Sequence, residues 1–553
     1  MEDLYQLNQD CISEFSQIMP HDQMLLSFSC CFKANRKVFF LLHTFVPNNK
    51  YKANHIKKFT HVNALDLTNT SKFIRPHFFQ NLERLIVSKW NPKAHIHNPS
   101  KLTYLKNKNI ANDNNGFIPN LKIYSNLKHL VHPYTKDIES LIYLQSLHCE
   151  FEKKTSNILD FSLLSNLTKL FVRYNVWDNY ICADVAVSEV AKLIELNATN
   201  VNFLHKLLDG SQLKYLDLDK VANMLFSNLE NIKIMHIKDV DIKIANEYVS
   251  YQYLIDLKIK FENKISLNFV NMINLKNIEV RNYQPSKSMN LSFLTSLERM
   301  LFVHNTDADV NIINLTNLTF LNFINCRKDV FDLIMELPTS IVNFYFKNCD
   351  RTKSETSVRS HNLLTQIERM KNLERLKVHD VSLNKNNLNL ISNFSLTKLI
   401  LDQCAFKDFV NLTNLKHFKL KNIYLDEVNI NYLSSLKKIT LKSWEYLSEN
   451  KLNRFYHVED LKISGNSHKL IFDSMPTLTN LKILNHHDNC GLNVCKLSNL
   501  KKLTLDDPDV FWKLCWNKFP SSLEDIYVKI PRNQGGDVQK LLMKDVNIHF
   551  IAK

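Results

Sequence analysis

The sequence predicts an α/β solenoid: a curved stack of short coils with a parallel sheet on its concave face, preceded by a small helical module. Three observations carry that prediction. An apolar residue followed by others three and five positions later recurs from Val62 to Leu523. From Leu254 onward the recurrences start about every 19 to 23 residues, with one longer step before Leu373. The first fifty residues lack the pattern altogether. A period of that size marks a stacked-repeat fold and takes precedence over cutting the 553 residues into compact domains. With 45% hydrophobic and 23% charged residues the chain has the apolar content to bury a core.

In chain order, residues 1–50 come first. Ile12, Phe15, Ile18 and Met19 have helical spacing. Pro20 interrupts them, and Asp22 suits the positive end of a second helix carrying Met24, Leu25, Leu26 and Phe28. A module this short needs a surface to pack against. The acidic start MEDLYQLNQD is not a basic leader followed by an apolar stretch, so no secretory signal is expected. The apolar run from Met24 to Val46 is broken by Lys33, Arg36 and Lys37, so no membrane span is expected either. Eleven scattered cysteines then read as buried thiols in a reducing compartment, which implies an intracellular protein of the cytoplasm or nucleus.

Residues 51–530 carry the repeat. Leu415-Lys416-His417-Phe418-Lys419-Leu420 shows its form, and copies start at Leu82, Leu167, Leu213, Leu229, Leu318 and Leu500, among others. Alternation at the third to fifth positions is that of a short strand burying one face. One such strand cannot bury its face alone, so successive coils must stack. Units of 20 to 29 residues with this spacing are leucine-rich repeats. Eight positions after some starts stand Asn305, Cys326, Cys349, Cys404 and Asn466, residues suited to filling the turn of a coil, although Trp444 and Pro508 take that place elsewhere. The return segments are expected as short helices or irregular turns. Irregular insertions are expected near 91–120, 175–207 and 351–362, with degenerate copies at Leu102 and Leu193, and residues 531–553 are expected to cap the stack.

Within the first fifty residues the order Leu7, Asp10, Ile12, Phe15, Ile18-Met19, Pro20, Asp22, Met24, Ser27, Cys30 and Lys33 resembles an F-box. It departs from that motif at Asn8, where Pro is usual, and at Ser29, where an apolar residue is usual. The F-box/leucine-rich-repeat resemblance implies a substrate receptor of cullin-RING ubiquitin ligases. Leu7, Ile12, Phe15, Ile18, Met19, Pro20, Met24 and Leu25 would then bind a Skp-type adaptor, and through it a cullin, while the repeats hold a protein substrate. The other reading of the same residues is a helical cap on a repeat scaffold with no ligase link.

Chemistry is sparse. The six glycines never form a phosphate-cradling loop, and zinc-helix and nucleophile-elbow motifs are absent, so no catalytic residue and no cofactor are expected. His486, His487 and Asp488 lie near Cys490 and Cys495, but the spacing matches no zinc motif, and the stretch reads as a loop with no metal. The charge is more informative. Lys and Arg number 70 against 55 Asp and Glu, a formal +15. The strand pattern sets Lys377, Lys419 and Lys462 in one column, Lys416, Lys437 and Lys501 in another, and Lys438 and Lys502 in a third, interrupted by Glu374, Glu459 and Asp460. These eight lysines are the candidate substrate-binding residues, for an acidic or phosphorylated segment. The plainer reading is a solvated face that keeps the sheet soluble. No stacking platform accompanies them, so nucleic acid is not expected as a partner.

Overall fold

The computed structural model describes residues 44–45, 63–67, 80–87, 96, 98–107, 121–132, 136–151, 158–175, 183–187, 192–204, 207–208, 210–222, 224–226, 229–240, 242–244, 251–260, 271–282, 289–303, 310–312, 314–324, 337–347, 367, 369–379, 395–404, 412–422, 433–442, 455–465, 470–472, 475–484, 492–506, 519–530 and 546–552. The chain divides into two compact units, Met1–Lys260 and Phe261–Lys553.

Each unit is built on a ladder of parallel strands taken in sequence order, the parallel β-solenoid that stacked leucine-rich repeats form. In the first unit the ladder runs from Thr44–Phe45 and Ala64–Leu67 through Lys169–Tyr174 and Glu195–Thr199 to Asp256–Lys260. In the second it runs from Asn277–Arg281 through Lys398–Asp402 and His417–Lys421 to Asp525–Ile530 and Asn547–Ala552. That last strand continues the pairing into the segment expected as a cap. Thr44 and Phe45 likewise belong to the ladder, within residues expected to be helical. The rest of the N-terminal module, including Leu7, Ile12, Phe15, Ile18, Met19, Pro20, Met24 and Leu25, lies outside the described residues, as does the insertion 351–362.

The register follows the apolar spacing. In Leu415 to Leu420 the buried residues are Leu415, Phe418 and Leu420, and their partners across the ladder are Leu399 and Leu401 on one side and Ile439 and Leu441 on the other. Burying three such side chains per coil stabilises the stack by several kcal/mol, at roughly 1.5–3 kcal/mol each. Copies at Leu102 and Leu193 are present as expected, starting the strands Tyr104–Asn107 and Glu195–Thr199. One start differs. The strand Ile234–Lys238 pairs Ile234 with Tyr215, so the coil begins at Ile232, three residues after Leu229, and buries Met235 and Ile237. Both spacings fit the stretch LENIKIMHI, and the register of the neighbouring coil selects the second.

Two devices join the coils at the ends of each strand. Before the strand, an asparagine preceding the first leucine donates its amide to a turn carbonyl of the coil before: Asn126 to Ser100 O at 2.9 Å, Asn166 to Ile142 O at 2.9 Å, Asn231 to Ser211 O at 2.7 Å and Asn317 to Thr295 O at 2.8 Å. These bonds satisfy carbonyls at the turn that the strand ladder does not reach. After the strand, the seventh residue past the coil start adopts positive φ in several coils, at Asn200, Lys220, Asp239, Asn282, Gln403, Asn422 and Gly465. Its N–H donates to the next coil, as from Asn282 to Val303 O at 2.8 Å and from Asn422 to Lys442 O at 3.1 Å. The left-handed turn aims that N–H along the stack, and the preference for Asn, Asp and Gly there reflects their tolerance of the conformation.

The described return segments hold little α-helix, at Ile367 and Arg369. Elsewhere their elements are 3-10 turns, at Pro99–Lys101, Leu121–Ile123 and Lys136–Ser140, and short strands forming small secondary sheets. Ala183–Ala186 pairs with Val201–Phe203 and with Leu159–Asp160, and Leu470–Ile471 pairs with Leu492–Asn493. A coil of this length, after its turn and strand, has too few residues left for a helix of several turns. Of the residues expected to fill the turns, Cys404 is buried with its thiol 3.5 Å from Val378 O and 3.4 Å from Asp402 O. Asn305, Cys326, Cys349, Asn466, Trp444 and Pro508 lie outside the described residues.

The left-handed positions give a direct test. Asn282→Val should lower stability by about 1–2 kcal/mol because a β-branched residue is strained at φ 55°. Asn282→Gly should be close to neutral. Urea unfolding followed by far-ultraviolet circular dichroism reads both, and equal losses from Val and Gly would contradict the turn geometry.

Candidate functional site

The open face of each ladder is lined by residues that alternate with the buried ones. In the first unit several of its charges are paired internally. Asn197 and the Tyr215 hydroxyl both donate to Asp217 Oδ2, at 3.0 and 3.2 Å, and Lys238 pairs with Asp219 at 2.7 Å. Lys260 pairs at 2.8 Å with Asp239, whose side chain is only 5% exposed.

The second unit is different. The register confirms that Lys377, Lys419 and Lys462 share a column, but Ile400 and Thr440 stand between them on the intervening strands. Same-column lysines are therefore about 10 Å apart at their Cα atoms, two strand spacings of ~4.8 Å, and the continuous track expected from the spacing is broken. Lys416 and Lys437 are neighbours, joined through Lys437 N–H to Lys416 O at 3.0 Å.

Partners divide the eight candidate lysines. Lys437 pairs with Glu459 at 3.0 Å, Lys438 with Asp460, and Lys501 with Glu524 at 2.9 Å. Lys377 lies over the Tyr345 ring at 3.7 Å, and Lys502 over the Tyr527 ring at 4.2 Å. Lys416, Lys419 and Lys462 have no ion-pair partner among the described residues. Two further lysines join them. Lys482 stands beside Lys462 in the same column, on the next strand, and Lys442 follows Thr440 on the strand between Lys419 and Lys462. Neither has an ion-pair partner among the described residues. Lys482 occupies the same place in its repeat as Lys419 and Lys462, so the repeat pattern itself marks it. Lys442 lies two residues along the same face and is marked by strand alternation.

The electrostatics confirm the crowding. Partial burial pushes the Lys419 ammonium below the usual lysine range, and repulsion from Lys442, Lys377 and Lys421 adds to it against the pull of Asp402. Burial and then Lys482, Lys442, Lys419 and Lys529 push Lys462 in the same direction. Lys377 is lowered by burial and by Lys421 and Lys347, with Asp402 opposing. His417 is pushed below the usual histidine range by burial and by Lys398 and Lys438. The positive region has defined edges. Asp402 accepts from Lys421 at 2.9 Å and from Asn422 at 3.1 Å, Asp460 holds Lys438, and Asp506 is buried at the edge of the last strands.

Among the described residues no group of three or more His, Cys, Asp and Glu could hold a metal ion. His486, His487, Asp488 and Cys490 lie outside them, and Cys495 is exposed. Cys149 is fully buried in a strand, and burial pushes its thiol far above the reactive range. No helix of the described residues is long and apolar enough to cross a membrane.

No protein-family model matches the chain, and no curated protein matches it in sequence. Among solved structures it is similar to a leucine-rich-repeat protein of Leptospira interrogans, at 17% identity over 78% of this chain and 96% of that one, with a TM-score of 0.38. It is also similar to YopM from Yersinia enterocolitica, at 15% identity over 97% of this chain and 100% of that one, with a TM-score of 0.38. A circular leucine-rich-repeat protein aligns at 15% identity over 90% of this chain and 80% of that one, with a TM-score of 0.44. At these scores the superpositions carry no weight of their own, and the assignment of a leucine-rich-repeat fold rests on the motif and the ladder register.

The division between paired and unpaired lysines is measurable. Lys462→Gln should leave thermal stability unchanged or raise it, because it removes repulsion and breaks no ion pair. Lys260→Gln should lower stability by about 1–3 kcal/mol, since it leaves the buried Asp239 carboxylate without its partner. The folded-state lowering of the Lys462 ammonium also sets a pH dependence. The repulsive penalty is complete at neutral pH and is relieved as pH rises through the lowered value toward that of the unfolded chain. Any gain from Lys462→Gln should therefore shrink in alkaline buffer, which thermal denaturation at several pH values would show.

Proposed function

We propose that the chain is a non-catalytic protein-interaction scaffold that holds an acidic segment of a partner protein on the open sheet face of its second unit. One observation carries the reading: Lys419, Lys442, Lys462 and Lys482 are clustered, half-buried and without ion-pair partners among the described residues, while their neighbours Lys437, Lys438 and Lys501 are each paired. A fold that retains mutual repulsion at a few positions and neutralises it around them is poised to receive negative charge from outside. An extended segment on an open sheet face also suits side-chain recognition without any reacting group. The narrower expectation, a ubiquitin-ligase receptor docking through residues 1–50, rests on a resemblance confined to residues outside the described part. No family model supports it, so the scaffold reading is the one adopted.

A labelled twelve-residue peptide rich in Glu with a single central Ser tests the proposal by fluorescence anisotropy near physiological salt. The full chain should bind it, Lys419→Glu with Lys462→Glu and Lys482→Glu should abolish binding, and Lys437→Gln with Lys501→Gln should retain it. Equal binding by the wild type and the triple variant would remove the reading.

A further inference from the structure

The unpaired lysines are not spread evenly along the face. Thr440 lies between Lys419 and Lys462 in one column, and Lys442 and Ser464 are neighbours in the adjoining column. Lys482 follows Lys462 on the next strand. From strand spacing and rise, the four lysines occupy a patch about 14 Å by 7 Å, with the Thr440 and Ser464 side chains inside it. Both of those residues are half-buried, and neither hydroxyl has a hydrogen-bond partner among the described residues.

The patch is bordered by acids, most of them held in ion pairs. Glu459 and Asp460 lie on the side of the strand starts, Asp402 and Asp506 on the side of the strand ends, and Glu524 beyond Lys501. A long polyanion such as a nucleic acid would run past the unpaired lysines onto these neutral pairs. The aromatic rings that share the column, Tyr345 and Tyr527, are covered by Lys377 and Lys502, and Tyr527 is also stacked on His549 at 4.5 Å. They are not open stacking platforms of the kind that single strands use. A compact dianion with several acceptor oxygens fits what remains: four ammoniums as point charges around it and two hydroxyls as donors at its base.

We propose that Lys419, Lys442, Lys462 and Lys482, with Thr440 and Ser464, form a receptor for one phosphoserine or phosphothreonine of the partner protein. This rests on the reading above that the same face holds an acidic segment, and it adds that phosphorylation of the segment governs binding. The phosphate brings nearly two charges and three acceptor oxygens to one point, whereas a glutamate brings one charge and two oxygens. The gain from phosphate over carboxylate is therefore concentrated at the centre of the patch, between the four lysines.

The test compares three versions of the acidic peptide, with central Ser, phosphoserine or Glu, on the full chain. Phosphorylation should tighten binding at least about tenfold and Glu by less than about threefold. Lys442→Gln with Lys462→Gln should return the phosphopeptide to the affinity of the Ser peptide, and Thr440→Val with Ser464→Ala should cut the increment several-fold. Because the second phosphate proton leaves near pH ~6, the increment should grow from pH 5.5 to 7 for phosphoserine and stay flat for Glu. An increment below about threefold, or one that survives Lys442→Gln with Lys462→Gln, overturns the proposal. Tighter binding of a twelve-nucleotide oligothymidylate than of the phosphopeptide would also overturn it. If the Ser peptide binds and Lys419→Glu with Lys462→Glu and Lys482→Glu abolishes it, yet phosphorylation adds nothing, the scaffold reading stands and this one falls. If no peptide binds in any form, both fall.

Discussion

Parallel pairing of each coil's strand with the next, in a register fixed by three buried apolar side chains, is the constraint on which everything else in this protein depends. A shift of one residue would turn Phe418 and Leu420 to solvent and bury Lys419, so the register is strongly specified wherever the motif is intact. The end devices follow from it. An asparagine before the strand finds a turn carbonyl of the coil behind, and a left-handed residue after the strand finds a carbonyl of the coil ahead, only because the coils are in step. Stability in such a fold is close to a sum over coils and their interfaces, so each of these bonds acts locally along the stack.

Much of this fold was legible in the sequence, because the buried positions repeat many times and their spacing has one reading as a stacked strand. Legibility failed where a choice depended on the neighbouring coil. LENIKIMHI satisfies the motif from Leu229 and again from Ile232, and only the pairing of Ile234 with Tyr215 decides between them. The asparagines preceding the first leucine, as at Asn166 and Asn317, recur before many coil starts, but their role appears only when the carbonyl of the preceding coil is in place. The described return segments add short strands to the helices or irregular turns expected, because a short apolar run between turns suits either helix or strand.

The functional face shows the same division between what one coil carries and what two coils carry. Sequence alternation put Lys377, Lys419 and Lys462 on one face and in one column, as the pairing shows. It could not show that Glu459 and Asp460, which seemed to interrupt a track, instead neutralise Lys437 and Lys438 and leave a smaller, sharper cluster unpaired. Ion pairs between exposed groups contribute little to stability, so their value here lies in shaping the field. They neutralise charge around Lys419, Lys442, Lys462 and Lys482, which keep no ion-pair partner among the described residues, and the proposed anion site rests on that contrast.

The Lys419 and Lys462 ammoniums are crowded in the folded chain, and the proposed anion would relieve them. Titration of carbon-13-labelled dimethyl-lysine signals by nuclear magnetic resonance, assigned by single Lys→Arg substitutions, measures this directly. Lys419 and Lys462 should titrate below the usual lysine range in the free protein and should move upward when the phosphopeptide is added. If Lys419 and Lys462 titrate in the usual lysine range and do not respond to the peptide, the register has not gathered an uncompensated charge, and the central claim is wrong.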